Sequence, residues 1–345
     1  MKLQTLIVDD SAFMRLLLSD VLSSDPGLDV IGTAKDGLEA VKMTKKHRPD
    51  VIVMDMEMGE YNGLYAIKHI MEQCPTPIMI LSSVGNTNLE PIFDALRLGA
   101  VDYMNKPVRG GSKIRTMDQE LISRLKGINK ARPQIVKNNQ QVQNTAPKKK
   151  KKSSDRFEIL IIGASTGGPS AVEQIIISLQ DEIDVPIVIC QHMPPNFIDP
   201  FVRRINSRTP LNVMLGTPGM EPRKGNVIIC PGDANLELKR RGKSGKVQLV
   251  ASEKTFKEYN NPSINAIMLS AAAVYKDASL GVLLTGMGKD GAKGMKAIGE
   301  SGGLTVAQDE ASSVIFGMPK AAIEAGKVDQ VLDIKEIGTY LISVT

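Results

Sequence analysis

A chain of 345 residues, 42% apolar and 23% charged, has room for two domains that each bury a core, and this composition excludes a disordered, collagen-like or coiled-coil chain. No apolar run approaches the ~18–20 residues that span a bilayer, no secretory h-region opens the chain, and Cys74, Cys190 and Cys230 are too few and too scattered for a disulfide framework or a zinc knuckle, so a reduced, cytoplasmic protein is expected. The net charge of +5 is local: from Asn129 to Arg156 nine Lys/Arg oppose one Asp, a balance of +8 that leaves the remainder at −3, and no basic recognition helix for nucleic acid is visible elsewhere.

Residues 1–128 alternate short β-type runs with helical periods. The predicted strands are Leu3–Val8, Asp29–Ala34, Val51–Met54, Ile78–Leu81 and Asp102–Met104. The helices between and after them are Ala12–Ser23, Gly37–His47, Gly63–Gln73, Leu89–Leu98 and Ser112–Gly127. Continuous apolar strands joined by crossover helices mean a parallel sheet covered on both faces, here a flavodoxin-like doubly wound domain with its ligands at the carboxyl ends of the strands. Asp9 and Asp10 close the first strand and Asp55 the third. Three converging carboxylates repel unless a cation neutralises them, and oxygen ligands favour Mg²⁺. Ser82 closes the fourth strand and Lys106 the fifth, so a hydroxyl, an ammonium and a metal would surround one carboxylate, an anion clamp suited to a phosphoryl group. Any one of these residues alone reads more readily as a cap, turn or loop residue; their succession along one β/α series carries the signal. His47 and His69 fall on helices away from the pocket and are expected at the surface or in packing.

Residues 129–156 are polar, aromatic-free and include five consecutive lysines, which predicts a solvated, flexible linker. Residues 157–345 resume the α/β alternation. Strands are predicted at Glu158–Ile162, Pro186–Cys190, Asn212–Leu215, Asn226–Cys230, Leu280–Leu284 and Leu304–Ala307. Helices are predicted at Pro169–Leu179, Asn196–Asn206, Ser263–Tyr275, Gly291–Ser301 and Met318–Ala325, with a last one at Lys335–Val344.

The first of these strands runs into Gly163-Ala164-Ser165-Thr166-Gly167-Gly168 before a helix opens. Glycines around a serine permit a sharp turn that exposes its hydroxyl, but the same turn serves equally as an anion cradle. Histidine count separates the two readings. A serine nucleophile needs a base, and His192 is the single histidine between residues 157 and 345, placed just after a strand expected beside the serine turn. Asp290, in the glycine-dense turn after Leu280–Leu284, reads either as a helix N-cap or as the carboxylate that orients His192. With Ser165 and His192 at equivalent strand ends, the triad is the better reading. Its chain order Ser…His…Asp differs from that of α/β-hydrolases.

LIVDDSAFMR, DVIVMDMEM, PIMILSS and GAVDYMNKP resemble a two-component receiver domain. GASTGGPSA, QHMPPNF, PGDANLEL, LTGMGKDGA and AQDEASSVIFGMPKAAI resemble the CheB family of chemotaxis protein-glutamate methylesterases, and with the receiver the resemblance spans everything but the linker. It implies that Asp55 accepts phosphate from a chemotaxis histidine kinase and that Asp9, Asp10, Asp55 and the backbone carbonyl of Glu57 bind Mg²⁺. It makes Ser82, Tyr103 and Lys106 the groups that respond to the phosphate. In the second half it implies a Ser165 nucleophile, a His192 base and an orienting Asp290, with the backbone N–H groups of Thr166 and Met287 as oxyanion hole and no cofactor. The substrates would be methyl esters, and glutamine amides, on methyl-accepting chemotaxis receptors. The enzyme would be cytoplasmic, recruited to membrane receptor arrays without being a membrane protein. Two departures from the family pattern, Asn235 and Asn265, fall outside the triad, so what they bear on is the detail of the substrate cleft. The competing reading is a receiver-controlled, non-catalytic adaptor that binds a receptor or a nucleotide; such a domain has no use for His192 beside Ser165.

Overall fold

The computed structural model describes residues 2–83, 88–106, 114–129, 131–133, 156–180, 182–242, 245–252 and 261–345. The chain divides into two compact units, residues 1–137 and 138–345. Most of the stretch expected to be a flexible linker, residues 134–155, lies outside the described residues.

In the first unit the strands are β1 (Leu3–Val8), β2 (Leu28–Ala34), β3 (Val51–Asp55), β4 (Ile78–Ser82) and β5 (Asp102–Asn105). The helices are α1 (Ala12–Ser23), α2 (Gly37–His47), α3 (Gly63–Gln73), α4 (Glu90–Arg97) and α5 (Ile114–Ile128). Helix starts are set by short polar side chains: Ser11 accepts from Met14 N, Asp36 from Glu39 N and Asn62 from Tyr65 N. The sheet is parallel in the order β2-β1-β3-β4-β5, and β3 and β4 are buried along their whole length. That order sets the carboxyl ends of β1, β3, β4 and β5 side by side.

The second unit begins with β6 (Ile159–Ala164), α6 (Gly168–Leu179), β7 (Ile187–Gln191), α7 (Pro195–Asn206), β8 (Asn212–Leu215) and β9 (Asn226–Ile229). It continues through β10 (Leu236–Arg241), β11 (Lys246–Ala251), α8 (Ile264–Tyr275), β12 (Ser279–Leu283) and α9 (Ala292–Glu300). It ends with β13 (Leu304–Gln308), α10 (Met318–Glu324), β14 (Gln330–Leu332) and α11 (Ile334–Val344). Seven parallel strands lie in the order β14-β13-β12-β6-β7-β9-β8. On one side of β6 the sheet extends through β7, β9 and β8, with β8 made before β9, and β12 then takes the other side of β6. The crevice between β6 and β12 is therefore the topological switch point, where open α/β sheets place ligands. Every side chain of β6 is buried, and each Ile or Leu there contributes about 1.5–3 kcal/mol of transfer free energy. Glu173 on α6 and Arg204 on α7 form a buried ion pair, Nε to Oε2 3.0 Å, tying together the helices that follow β6 and β7.

The hairpin of β10 and β11, antiparallel with Leu238 opposite Leu249, is not visible in the sequence reading, nor is β14. In β10 only the first half is buried and Lys239, Arg240 and Arg241 point to solvent, so its charge masks the β period. β14 is a three-residue edge strand with no buried side chain. No described helix is long and apolar enough to cross a membrane.

Candidate functional site

In the first unit the sequence-predicted carboxylates meet. Asp9, Asp10 and Asp55 each offer an oxygen within 4.8 Å of the others, with Asp9 and Asp55 buried and Asp10 exposed. Lys106 Nζ stands 2.7 Å from Asp9 Oδ2 and 2.8 Å from Asp55 Oδ2. Burial pushes the Asp55 carboxyl above the usual carboxylate range, and the neighbouring Asp9 adds to the rise. The Lys106 hydrogen bond and charge, with an N–H from Glu57, offset only part of it. Burial depresses Lys106, but its two carboxylate partners outweigh that and hold its pKa above the ordinary value. Oxygen donors alone, clustered with surplus negative charge, are the chemistry a hard divalent cation requires, and these residues fit Mg²⁺. Ser82 is buried at the end of β4, and its hydroxyl has no hydrogen-bond partner among the described residues. Tyr103 is buried on the adjacent β5, which drives its hydroxyl pKa well up. His47 ends α2 at the surface, and the His69 ring packs on Tyr65 at 4.3 Å between centroids.

In the second unit Ser165 follows β6, His192 follows β7 and Asp290 follows β12, three neighbouring strands with the serine in the middle. Gly167, with φ +75°, turns the chain from Ser165 into α6. His192 Nδ1 lies 3.1 Å from Ser165 Oγ, and His192 Nε2 lies 2.9 Å from Asp290 Oδ2. An ionised carboxylate only accepts, so Nε2 carries the proton and Nδ1 presents its lone pair to the serine hydroxyl. The ring is thus turned relative to the usual serine-protease arrangement, with the roles of its two nitrogens exchanged.

Asp290 is a cap after all, but of a different helix. Gly291 starts α9, while the Asp290 carboxylate accepts from Ile264 N at 2.8 Å and Asn265 N at 3.0 Å at the start of α8, and from Gly291 N at 2.9 Å. Burial pushes its pKa up; the His192 hydrogen bond and charge, with the Asn265 and Ile264 N–H groups, outweigh that and hold it below the usual range.

Around the serine, the Gly286 backbone passes so close that a Cβ there would lie 2.7 Å from Ser165 Cβ. Thr166, an expected oxyanion donor, is buried in the nucleophile turn. The two departures from the family pattern lie around the start of α8. Asn265 is fully buried, with Oδ1 accepting from Gly294 N, and belongs to the support beneath Asp290. Asn235 Oδ1 accepts from Ser263 N at 2.6 Å and holds the start of α8.

Three further residues carry the site and were not singled out from the sequence. Thr285 Oγ1 donates to Thr166 O at 3.0 Å and accepts from Ile315 N at 2.9 Å. Gln308 Oε1 accepts from Thr285 N at 2.8 Å. Gln191 donates to the carbonyls of Ser165 and His192. Their common signal is a polar residue at the end of an otherwise apolar core strand. The AQDEASSVIFGMP segment therefore acts as the brace of the Thr285–Gly288 loop.

The CheB methylesterase family model matches residues 160–341, and the response regulator receiver domain model matches residues 5–117. A protein-glutamate methylesterase/protein-glutamine glutaminase of Pyrococcus abyssi is 38% identical over 97% of this chain and 92% of its own length. The Thermotoga maritima protein of the same name is 38% identical over 99% of this chain and 98% of its own. The crystal structure of the Thermotoga maritima CheB methylesterase catalytic domain matches with a TM-score of 0.52 at 38% identity, covering 55% of this chain and 99% of that domain. The chain belongs to the CheB family of protein-glutamate methylesterase/protein-glutamine glutaminases, with a response-regulator receiver domain ahead of the methylesterase domain.

Proposed function

We propose that Ser165, His192 and Asp290 form the catalytic triad with which this enzyme hydrolyses glutamate methyl esters, and glutamine side-chain amides, of methyl-accepting chemotaxis receptors. The observation that carries this reading is the continuous chain from Ser165 Oγ through the His192 ring to the Asp290 carboxylate. His192 Nδ1 takes the hydroxyl proton as Ser165 Oγ bonds to the ester carbonyl carbon, and Asp290 stabilises the imidazolium that forms. The N–H groups of Thr166 and Met287 receive the oxyanion. His192 then protonates the leaving oxygen, releasing methanol, or the leaving nitrogen, releasing ammonia. Water, deprotonated by the same ring, breaks the acyl-serine bond and leaves the receptor glutamate. A non-catalytic adaptor would leave the alignment of Ser165, His192 and Asp290 without a purpose.

The domain division that accompanies this reading is a receiver at 1–128, a linker at 129–156 and the catalytic domain at 157–345. Asp55 accepts a phosphoryl group from a chemotaxis histidine kinase, and Asp9, Asp10 and Asp55 with the Glu57 carbonyl would hold Mg²⁺, which would supply charge neutralisation for the transferred phosphoryl group. Lys106 pairs with the phosphate, the Ser82 hydroxyl, which has no hydrogen-bond partner among the described residues, donates to it, and Tyr103 reports the change. Phosphorylation raises hydrolysis at Ser165. The enzyme works in the cytoplasm, recruited to receptor arrays. Methanol release from methylated receptor membranes, measured with and without a small-molecule phosphodonor, tests both halves. Release that depends on Ser165 and rises with phosphodonor is expected; release indifferent to Ser165 refutes the triad.

A further inference from the structure

The Gln191 side chain occupies a place that the reaction described above does not use. It ends β7 beside Ala164 of β6, and it is 1% exposed. Its Nε2 donates to the Ser165 carbonyl at 3.0 Å and to the His192 carbonyl at 2.9 Å. The same Ser165 carbonyl also accepts from Gly168 N at 2.7 Å. One planar amide thus holds the peptide groups of the nucleophile and the base together.

Three observations separate this amide from ordinary packing. Both of its protons are committed, one to each candidate catalytic residue, and only a terminal amide offers two donors on one uncharged atom at this reach. Its Oε1 is buried without a hydrogen-bond partner among the described residues, a cost that a purely structural side chain at this position would avoid. A Cβ on Gly168 would collide with Oε1, so the glycine after the nucleophile turn leaves the space the amide occupies. Gly168 has no positive φ, so backbone freedom does not explain it.

We propose that Gln191 is the positioning residue that sets the Ser165 Oγ to His192 Nδ1 alignment. This rests on the triad reading and deepens it. The hydroxyl and the ring meet at 3.1 Å from turns on separate strands, so the relative placement of those turns decides whether the proton can pass. Gln191 is the side chain bonded to both.

Two substitutions in the full-length, phosphodonor-treated enzyme test the idea. Gln191→Met keeps the volume and removes both donors; it is expected to lower kcat for methanol release about 10²-fold with KM unchanged. Gln191→Glu replaces the donors by a carboxyl that, when ionised, faces two carbonyl oxygens with acceptors only. Burial among acceptors favours its neutral form and raises its pKa, and only the protonated form can donate. Activity of Gln191→Glu relative to the parent enzyme is therefore expected to fall reversibly as pH rises, with an inflection the parent lacks. A structural role alone would not produce that profile, and the comparison within one variant across pH holds even where Gln191→Met melts early. Near-parental kcat in Gln191→Met, or a Gln191→Glu profile parallel to the parent's, overturns the proposal. Ser165→Ala is the reference arm: if it keeps turning over, the triad reading itself has failed, whereas an inert Ser165→Ala beside a fully active Gln191→Met rejects the positioning role alone.

Discussion

Asp55 and Asp290 are both buried aspartates at the carboxyl ends of parallel strands, yet their environments drive them in opposite directions. Asp55 is raised: burial dominates, Asp9 adds like charge, and Lys106 is shared with that same Asp9. Asp290 is lowered: burial pushes it up, but His192 and the N–H groups of Asn265 and Ile264 outweigh that. Burial alone therefore does not determine the state of a carboxylate; the number of donors committed to its oxygens does. The first is left with unmet electrostatic demand, which suits the cation-binding and phosphoryl-accepting role proposed for it. The second is a fully solvated anion in protein form, which suits a group that must stay charged and still.

The sharpest break of the comparison removes what Asp290 serves. Ser165→Ala and His192→Ala are each expected to lower methanol release by at least ~10³-fold with melting temperature preserved, as triad members act as a unit. Asp290→Asn should cost less turnover than either, but it should also cost stability, about 1–3 kcal/mol in a denaturant titration, because an amide turns a donor toward the α8 N-terminus. The sign with pH follows from the lowered pKa. Asp290 contributes stability that is present above the usual carboxylate range and is lost as pH falls through its folded pKa, so the gap between parent and Asp290→Asn should close in acid.

Asp55 should show the reverse. A raised folded pKa means that the fold favours the protonated form, so its contribution declines as pH rises from the unfolded value through the folded one. Asp55→Asn should flatten that part of the stability–pH curve and abolish stimulation of hydrolysis by phosphodonor. Mg²⁺ should raise the melting temperature of the parent receiver more than that of Asp55→Asn, and chelation should remove the difference. The smallest effect is expected from Asn265→Asp. Its Oδ1 keeps the bond to Gly294 N, and the Nδ2, which has no partner among the described residues, disappears. A change in stability within about 1 kcal/mol is expected, and a larger loss would show that a second buried carboxylate beside Asp290 cannot be tolerated.

Much of this was legible in one dimension. Apolar runs such as Ile159–Ile162 can only be buried strands, and alternation with helical periods leaves only a parallel sheet, because both sheet faces must be covered. From that topology the strand-end residues Asp9, Asp55, Ser82 and Lys106, and likewise Ser165, His192 and Asp290, fall into two clusters. What escaped was local: in β10–β11 the charge of Lys239–Arg241 overrides the strand period, and β14 exists only because β13 offers it an edge.

The amino-acid order by itself determined which side chains stand at which strand ends, since hydrophobic period and turn chemistry act over a few residues. The tertiary structure alone decided how each is held, since those choices depend on groups distant in the chain. It was the fold that pointed His192 Nδ1 rather than Nε2 at Ser165, and that set Asp290 on the N-terminus of α8 rather than α9. It also buried Asn265 and brought the Gln191 amide between the peptide groups of Ser165 and His192. Hydrogen bonds between residues 26 to 98 positions apart are fixed by the packing of strands and helices, and no local pattern encodes them.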